Sequence, residues 1–164
     1  MSAVDDNAAG GEGRATSDAR ARGSARLVVL DVCAALLALV GLGDAVYLTV
    51  EHLTGATLQC SITHGCAEVL GSKYATVGSV PLAAFGALAY FTAFSLATLS
   101  AFGYAGARRI LAALVALMFL FTLWLLYLQA FVLHAFCQYC LLSACTTTLL
   151  TIVVVLQSLT GRRA

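Results

Sequence analysis

Long apolar runs separated by short polar gaps divide this chain. They cover Leu27–Val50, Leu82–Phe102, Ile110–Leu133 and Leu141–Leu159. At a rise of about 1.5 Å per residue, each run is long enough as a helix to cross roughly 30 Å of hydrocarbon. The pattern predicts an all-α integral membrane protein with four spans. The connections around Gly103–Arg109 and His134–Phe136 are short, which makes neighbouring spans antiparallel and the whole a four-helix bundle. Gly41, Gly43, Ala84 and Gly86 are small enough to let helices approach closely.

The polar stretches refine this picture. Residues 1–25 are rich in Gly, Ala, Ser, Asp and Arg without apolar periodicity, and read as a disordered tail. The first apolar run is longer than a signal-peptide core and three more follow, so it reads as a retained helix. The segment 51–79 is the sizeable polar loop between spans. Within it, Ala67-Glu68-Val69-Leu70 suits one amphipathic turn on the membrane surface, and Ser79 and Pro81 suit the start of the second spanning helix.

Composition removes the soluble alternative: of 164 residues, 61% are hydrophobic and 10% charged, too apolar for a soluble domain of this size to bury. The net charge of +1 and the absence of a basic run give no reason to expect nucleic acid. The distribution of charge is more informative. Arg14, Arg20, Arg22 and Arg26 precede the first span, Arg108 and Arg109 separate the second and third, and Arg162 and Arg163 follow the fourth. Lys73 alone falls on the other side. The positive-inside rule then puts both termini in the cytoplasm of a cell (inner) membrane protein. Cys60, Cys66, Cys137 and Cys140 fall on the outer, oxidising face, where disulfides persist.

Cys137-Gln138-Tyr139-Cys140 opens the fourth span. Two thiols one helical turn apart can form a disulfide. A cysteine near the helix N-terminus gains from free N–H groups and the helix dipole, which favour the attacking thiolate. Zinc would want four ligands, and Leu141 stands where haem attachment would need His. A purely structural disulfide is the remaining bland reading, and redox chemistry is the reading preferred. Cys60 and Cys66 either close a small structural ring or, beside a second pair, form a relay from a soluble dithiol to the helix pair.

Other residues carry two readings each. Cys33 and Cys145, inside spans, read as small hydrophobes, and His64 as a solvated histidine. His134 precedes Cys137 by three residues and either tunes it, donates a proton or does neither. Asp44 is an ionisable group at membrane depth, a functional candidate unless it is merely hydrated near the interface. Trp124, Tyr127 and Tyr139 fit an aromatic belt, while Tyr127 or Tyr139 could instead line a ring-binding pocket.

Four spans, a loop cysteine pair, Ser72-Lys73-Tyr74, Gly78-x-x-Pro81 opening the second span and CxYC at the fourth resemble bacterial homologues of vitamin K epoxide reductase (VKOR). The resemblance covers Leu27–Leu159 and frames residues 26–160 as a VKOR-like four-helix domain, with 161–164 as a cytoplasmic end. It implies a membrane thiol:quinone oxidoreductase that reoxidises a secreted thioredoxin-like or DsbA-like protein and reduces ubiquinone or menaquinone from the membrane quinone pool, without metal. Quinone or epoxide reduction as the physiological output is the alternative. A membrane metal-binding or transport protein ranks behind, because the second and fourth spans carry no charge.

Carried onto this chain, the resemblance gives Cys60 the exchange with the partner, Cys66 the exchange with Cys137, and Cys140 the place beside the quinone. Ser72 matches the serine that supports the cysteine relay. Gln138 stands where many bacterial members have proline, and no thioredoxin-like domain follows before Ala164, which implies a separate partner polypeptide.

Overall fold

A computed structural model describes residues 5–54, 66–72, 74–78 and 80–161. Helix α1 runs Asp5–Thr54, α2 Cys66–Leu70, α3 Leu82–Ala101, α4 Ala105–Tyr127 and α5 Gln138–Gly161; strands β1 (Thr76–Val77) and β2 (Val80–Pro81) form a small hairpin. Four segments, Gly23–Thr54, Leu82–Ala101, Gly106–Val132 and Gln138–Gly161, are long and apolar enough to cross a membrane. The chain is therefore an all-α, multi-pass membrane bundle. Helical backbone begins at Asp5, so no break in the helix marks where the N-terminal polar stretch meets the first span.

The distribution of side chains is that of a protein in lipid. Large apolar residues such as Val29, Leu36, Leu88, Leu117, Leu120 and Phe131 are exposed, while Ala34, Ala38, Ala93 and Ala97 are fully buried. Lipid tails are as apolar as Leu, so helix association depends on close packing and buried polar contacts rather than on hiding apolar surface. Alanines spaced four apart on α1 and α3 bring these two helices together, and Leu111, Val115, Leu150 and Val154 complete the core from α4 and α5.

At one end of the bundle, a buried polar cluster joins all four spanning helices. Asp31 on α1 accepts from the Ser100 hydroxyl (2.8 Å), the Arg108 guanidinium (3.0 Å) and the Gln157 amide (3.1 Å). Arg108 also donates to the Ser100 hydroxyl at 3.2 Å. Buried carboxylates persist when paired and hydrogen-bonded, and Asp31, 1% exposed, has both.

Nearer the other end, Tyr90 of α3 crosses the bundle. Its hydroxyl meets the Ser143 hydroxyl at 2.9 Å and carbonyl at 3.0 Å, and the Thr147 hydroxyl at 2.7 Å. Its ring lies against Gly41, where any Cβ would overlap it. At Gly86 a Cβ would make only ordinary contact with Ala45, and Gly43 faces open space. Thus, of the three, Gly41 is the one whose missing side chain the packing requires.

The connections depart from sequence expectation in two places. The hairpin pairs Thr76 with Pro81 and Val77 with Val80, and Gly78 takes the left-handed conformation its tight turn needs (φ 66°). Pro81 ends β2 and caps α3, while Ser79 lies outside the described residues. The third span does not end as α-helix. Leu128–Val132 is a π-helical turn, closed by the bond from Leu133 N–H to the Leu128 carbonyl. Such turns insert a residue into the helical phase and are frequent at functional sites.

Candidate active site

The π turn explains how the fourth span's cysteines are held. It buries Gln129, whose side-chain oxygen accepts from the Cys137 N–H at 3.2 Å while its backbone carbonyl accepts from Ala135 N–H at 3.2 Å. One residue thus grips both ends of the tight link into α5. His134 makes the reversal between them in the left-handed region (φ 49°). It is exposed and lies outside the lining of the cavity described below.

Cys137 is fully buried and its sulfur lies 3.4 Å from that of Cys66, itself 1% exposed at the start of α2. Cys66 is disulfide-bonded and carries no thiol hydrogen, so the contact is a sulfur–sulfur approach rather than a hydrogen bond from Cys66. Cys60, with which the sequence pairs Cys66, and His64 lie outside the described residues. Cys137 and Cys140 are free thiols. The arrangement is that of a dithiol facing a neighbouring disulfide, the ground state for thiol–disulfide exchange.

The Cys137 thiol is lowered to about 7. The hydrogen bond from the Cys140 thiol is the largest cause. Burial opposes it, and the backbone N–H groups of Cys140 and Tyr139 at the start of α5 add to the lowering. Cys137 is therefore substantially thiolate near neutral pH, with Cys140 as the thiol donating to it.

Cys140, one turn further on, lines a cavity of about 160 Å³. A cavity of this order accepts a small aromatic ring. Its walls are mainly apolar: Leu82, Ala83 and Gly86 from α3, Leu125 and Leu126 from α4, Leu48 from α1. Asp44, Gln129, Ser143 and Ser72 supply polar edges. The cluster fits a flat, largely apolar molecule with polar atoms at its rim. Ser72 also fastens the loop, its hydroxyl donating to the Val69 carbonyl at 2.8 Å. Asp44 presents a buried oxygen, Oδ2, with no hydrogen-bond partner among the described residues.

Cys66, Cys137, Cys140 and the cavity form a continuous line. Asp44 and Ser72 join it; Tyr127 and Tyr139 do not. Tyr127, at the end of α4, is 57% exposed and packs on Phe131, and Tyr139 packs against Tyr47 with ring centroids 5.3 Å apart. Their direction is set by helix phase: the cavity-facing positions in this region are Leu125, Leu126, Gln129, Cys140 and Ser143. Cys33 and Cys145 are exposed on the outside of the bundle rather than buried within it.

Two residues that hold the site, Gln129 and Tyr90, escape a reading by sequence, and Asp31, at the opposite end of the bundle, is signalled only in part. Gln129, at the end of an apolar run, was signalled only by being polar there. Tyr90 looked like another apolar-run aromatic. Asp31 was detectable as an ionisable residue within the first span, in register with the buried stripe Ala34, Ala38 and Gly41. Among the described residues, no three His, Cys, Asp or Glu side chains gather as metal ligands would.

Compared with known proteins, residues 32–155 match the model of the vitamin K epoxide reductase family. No curated protein matches the chain.

Proposed function

Since this chain belongs to the vitamin K epoxide reductase family, a family of membrane oxidoreductases, we propose that it is a thiol:quinone oxidoreductase supporting disulfide-bond formation. A reduced thioredoxin-like or DsbA-like dithiol protein exchanges with Cys60 of the loop pair and leaves oxidised. Cys66 then attacks Cys137, opening the Cys137–Cys140 disulfide and regenerating the loop disulfide. Cys140 passes the electron pair to a quinone in the adjoining cavity as the Cys137–Cys140 bond re-forms.

The observation that carries this reading is the 3.4 Å approach of the Cys66 and Cys137 sulfurs, with Cys140 between that junction and the cavity. The apolar walls favour a membrane-soluble ring, and Asp44 and Gln129 offer hydrogen-bonding groups to ring oxygens. Ubiquinone or menaquinone from the membrane pool is the acceptor class that fits. Quinone turnover makes the exchange run towards oxidation of the partner.

The arginine distribution supports cytoplasmic termini, with the cysteine end on the extracytoplasmic face of the cell membrane. There the partner has access and disulfides are stable.

The test is quinone reduction by purified protein in detergent, driven by a reduced thioredoxin-like protein. Wild type turns over, Cys140→Ala does not, and Cys66→Ala loses turnover with the protein dithiol while keeping it with a small dithiol. Absence of quinone turnover in the wild type with any dithiol would overturn the reading.

A further inference from the structure

Reduction of a quinone to hydroquinone takes up two electrons and two protons. The helix pair holds both electrons. Its protons are a different matter: when Cys137 reacts as the thiolate that accepts from the Cys140 thiol, the pair carries one hydrogen, on Cys140. One proton must come from another group at the cavity.

The cavity is bounded by all four spanning helices, and its titratable groups are few. On α1 they are Asp44 and His52; from the loop, Tyr74; on α5, Cys140. Helices α3 and α4 contribute none to the lining. Cys137 and Tyr90 of α3 stand outside the lining. Tyr90 is engaged with Ser143 and Thr147. Asp44 instead has a buried carboxyl oxygen without a hydrogen-bond partner among the described residues. A buried polar oxygen left unpaired is costly, and sites that tolerate one often use it. Asp44, Leu48 and His52 recur every fourth residue, so a single face of α1 lines the cavity from Asp44 outward to the loop end.

We propose that Asp44 is the general acid of the site, delivering to the quinone oxygen the proton that the helix cysteines do not supply. This inference rests on the quinone reading above. The step balances: Cys137 thiolate, Cys140 thiol, protonated Asp44 and quinone give the Cys137–Cys140 disulfide, ionised Asp44 and hydroquinone. Both thiol sulfurs are oxidised by one electron each, the quinone gains that pair, and the two protons come from Cys140 and Asp44. One negative charge stands on each side of the equation. Asp44 regains its proton from the loop end of the cavity, where His52 stands.

The experiment uses the full chain in detergent, a short-chain ubiquinone analogue and a small dithiol as reductant, so that no partner protein is needed. Wild type, Asp44→Asn and Asp44→Glu are compared across pH. Asn keeps the shape but carries no transferable proton. Asp44→Asn lowers kcat by about 100-fold, within the range of general-acid catalysis, with KM for the quinone changed by less than about threefold. Asp44→Glu recovers most of the rate. In wild type, kcat falls on the alkaline side as Asp44 loses its proton, and that limb is absent from Asp44→Asn. A protonated-carboxyl infrared band titrates in step with that limb and is missing in Asp44→Asn.

An Asp44→Asn protein with kcat within about twofold of wild type, or a loss confined to KM, overturns the role. So does a carboxyl band that fails to track the rate. A wild type that reduces quinone while Asp44→Asn does so equally well leaves the oxidoreductase reading standing and removes only the acid. A wild type that reduces no quinone removes both.

Discussion

The sulfurs of Cys66 and Cys137 lie 3.4 Å apart although 71 residues separate them in sequence. Both side chains are buried, so the contact is shielded from bulk solvent and from soluble thiols. In the proposed relay, a buried junction of this kind passes oxidation state between two elements of one chain without exposing a thiolate to side reactions. It also requires the helix pair to be held still, which is the part played by the groups around Cys137.

Gln129 is the first of these. Replacing it with Leu removes the acceptor for the Cys137 N–H and leaves a buried donor unpaired, at a cost of about 1–3 kcal/mol. The expected result is a lower unfolding temperature in detergent and slower exchange between the cysteine pairs. Gln129→Glu keeps an acceptor and recovers part of the stability. Thermal unfolding, with rapid thiol trapping of the two pairs, checks both.

The acidity of Cys137 gives a pH dependence with a definite sign. Its thiol is lowered to about 7, against an ordinary value of about 8.5 in an unfolded chain. Its contribution to stability is therefore fully present above the unfolded value and lost as pH falls through 7. Thiolate absorbance in the reduced protein, corrected with Cys137→Ser, rises through a midpoint near 7. Cys140→Ala removes the main hydrogen bond and moves that midpoint towards the ordinary range.

Asp31 anchors the opposite end. Asp31→Ala leaves Arg108 without its carboxylate and Ser100 and Gln157 without their acceptor. Breaking one side of a buried pair costs about 3–5 kcal/mol, and the unfolding temperature falls accordingly. The paired change Asp31→Leu with Arg108→Leu costs less than the sum of the two single changes. Unfolding in detergent measures the coupling.

Gly41 and Tyr90 are coupled by contact. Gly41→Ala pushes a methyl group into the Tyr90 ring, and overpacking of this kind costs about 1–3 kcal/mol. Displacing the ring also strains its bonds to Ser143 and Thr147, one and two turns from Cys140. Combining Gly41→Ala with Tyr90→Ala gives a smaller loss than the two added together, again read by unfolding in detergent.

What the sequence makes legible follows from the bilayer. Span length is fixed by hydrocarbon thickness, so runs such as Leu82–Phe102 and Leu141–Leu159 correspond closely to α3 and α5. Cys137-x-x-Cys140 at the head of a span, and Asp44 within one, stand out because polar or reactive groups are few there. The phase of each helix is harder to read. A membrane helix is apolar on its lipid face and largely apolar inside, so little periodicity marks which side of Tyr127 or Tyr139 faces the cavity. The π turn at Leu128–Val132 shifts that phase again and brings Gln129, not Tyr127, to the site. Asp31 and Gln157 are 126 residues apart, and nothing local to either indicates that they meet.

The most direct test of the relay is to leave only its two junction sulfurs among the four redox cysteines. With Cys60→Ser and Cys140→Ser combined, Cys66 and Cys137 keep their positions but lose their other partners. Mild oxidation followed by peptide mapping should recover a Cys66–Cys137 disulfide in most of the folded protein, and Cys60→Ser with Cys137→Ser should give no comparable link between Cys66 and Cys140. A folded double variant in which Cys66 and Cys137 stay separate thiols, or in which Cys66 links instead to Cys140, would contradict transfer through this contact.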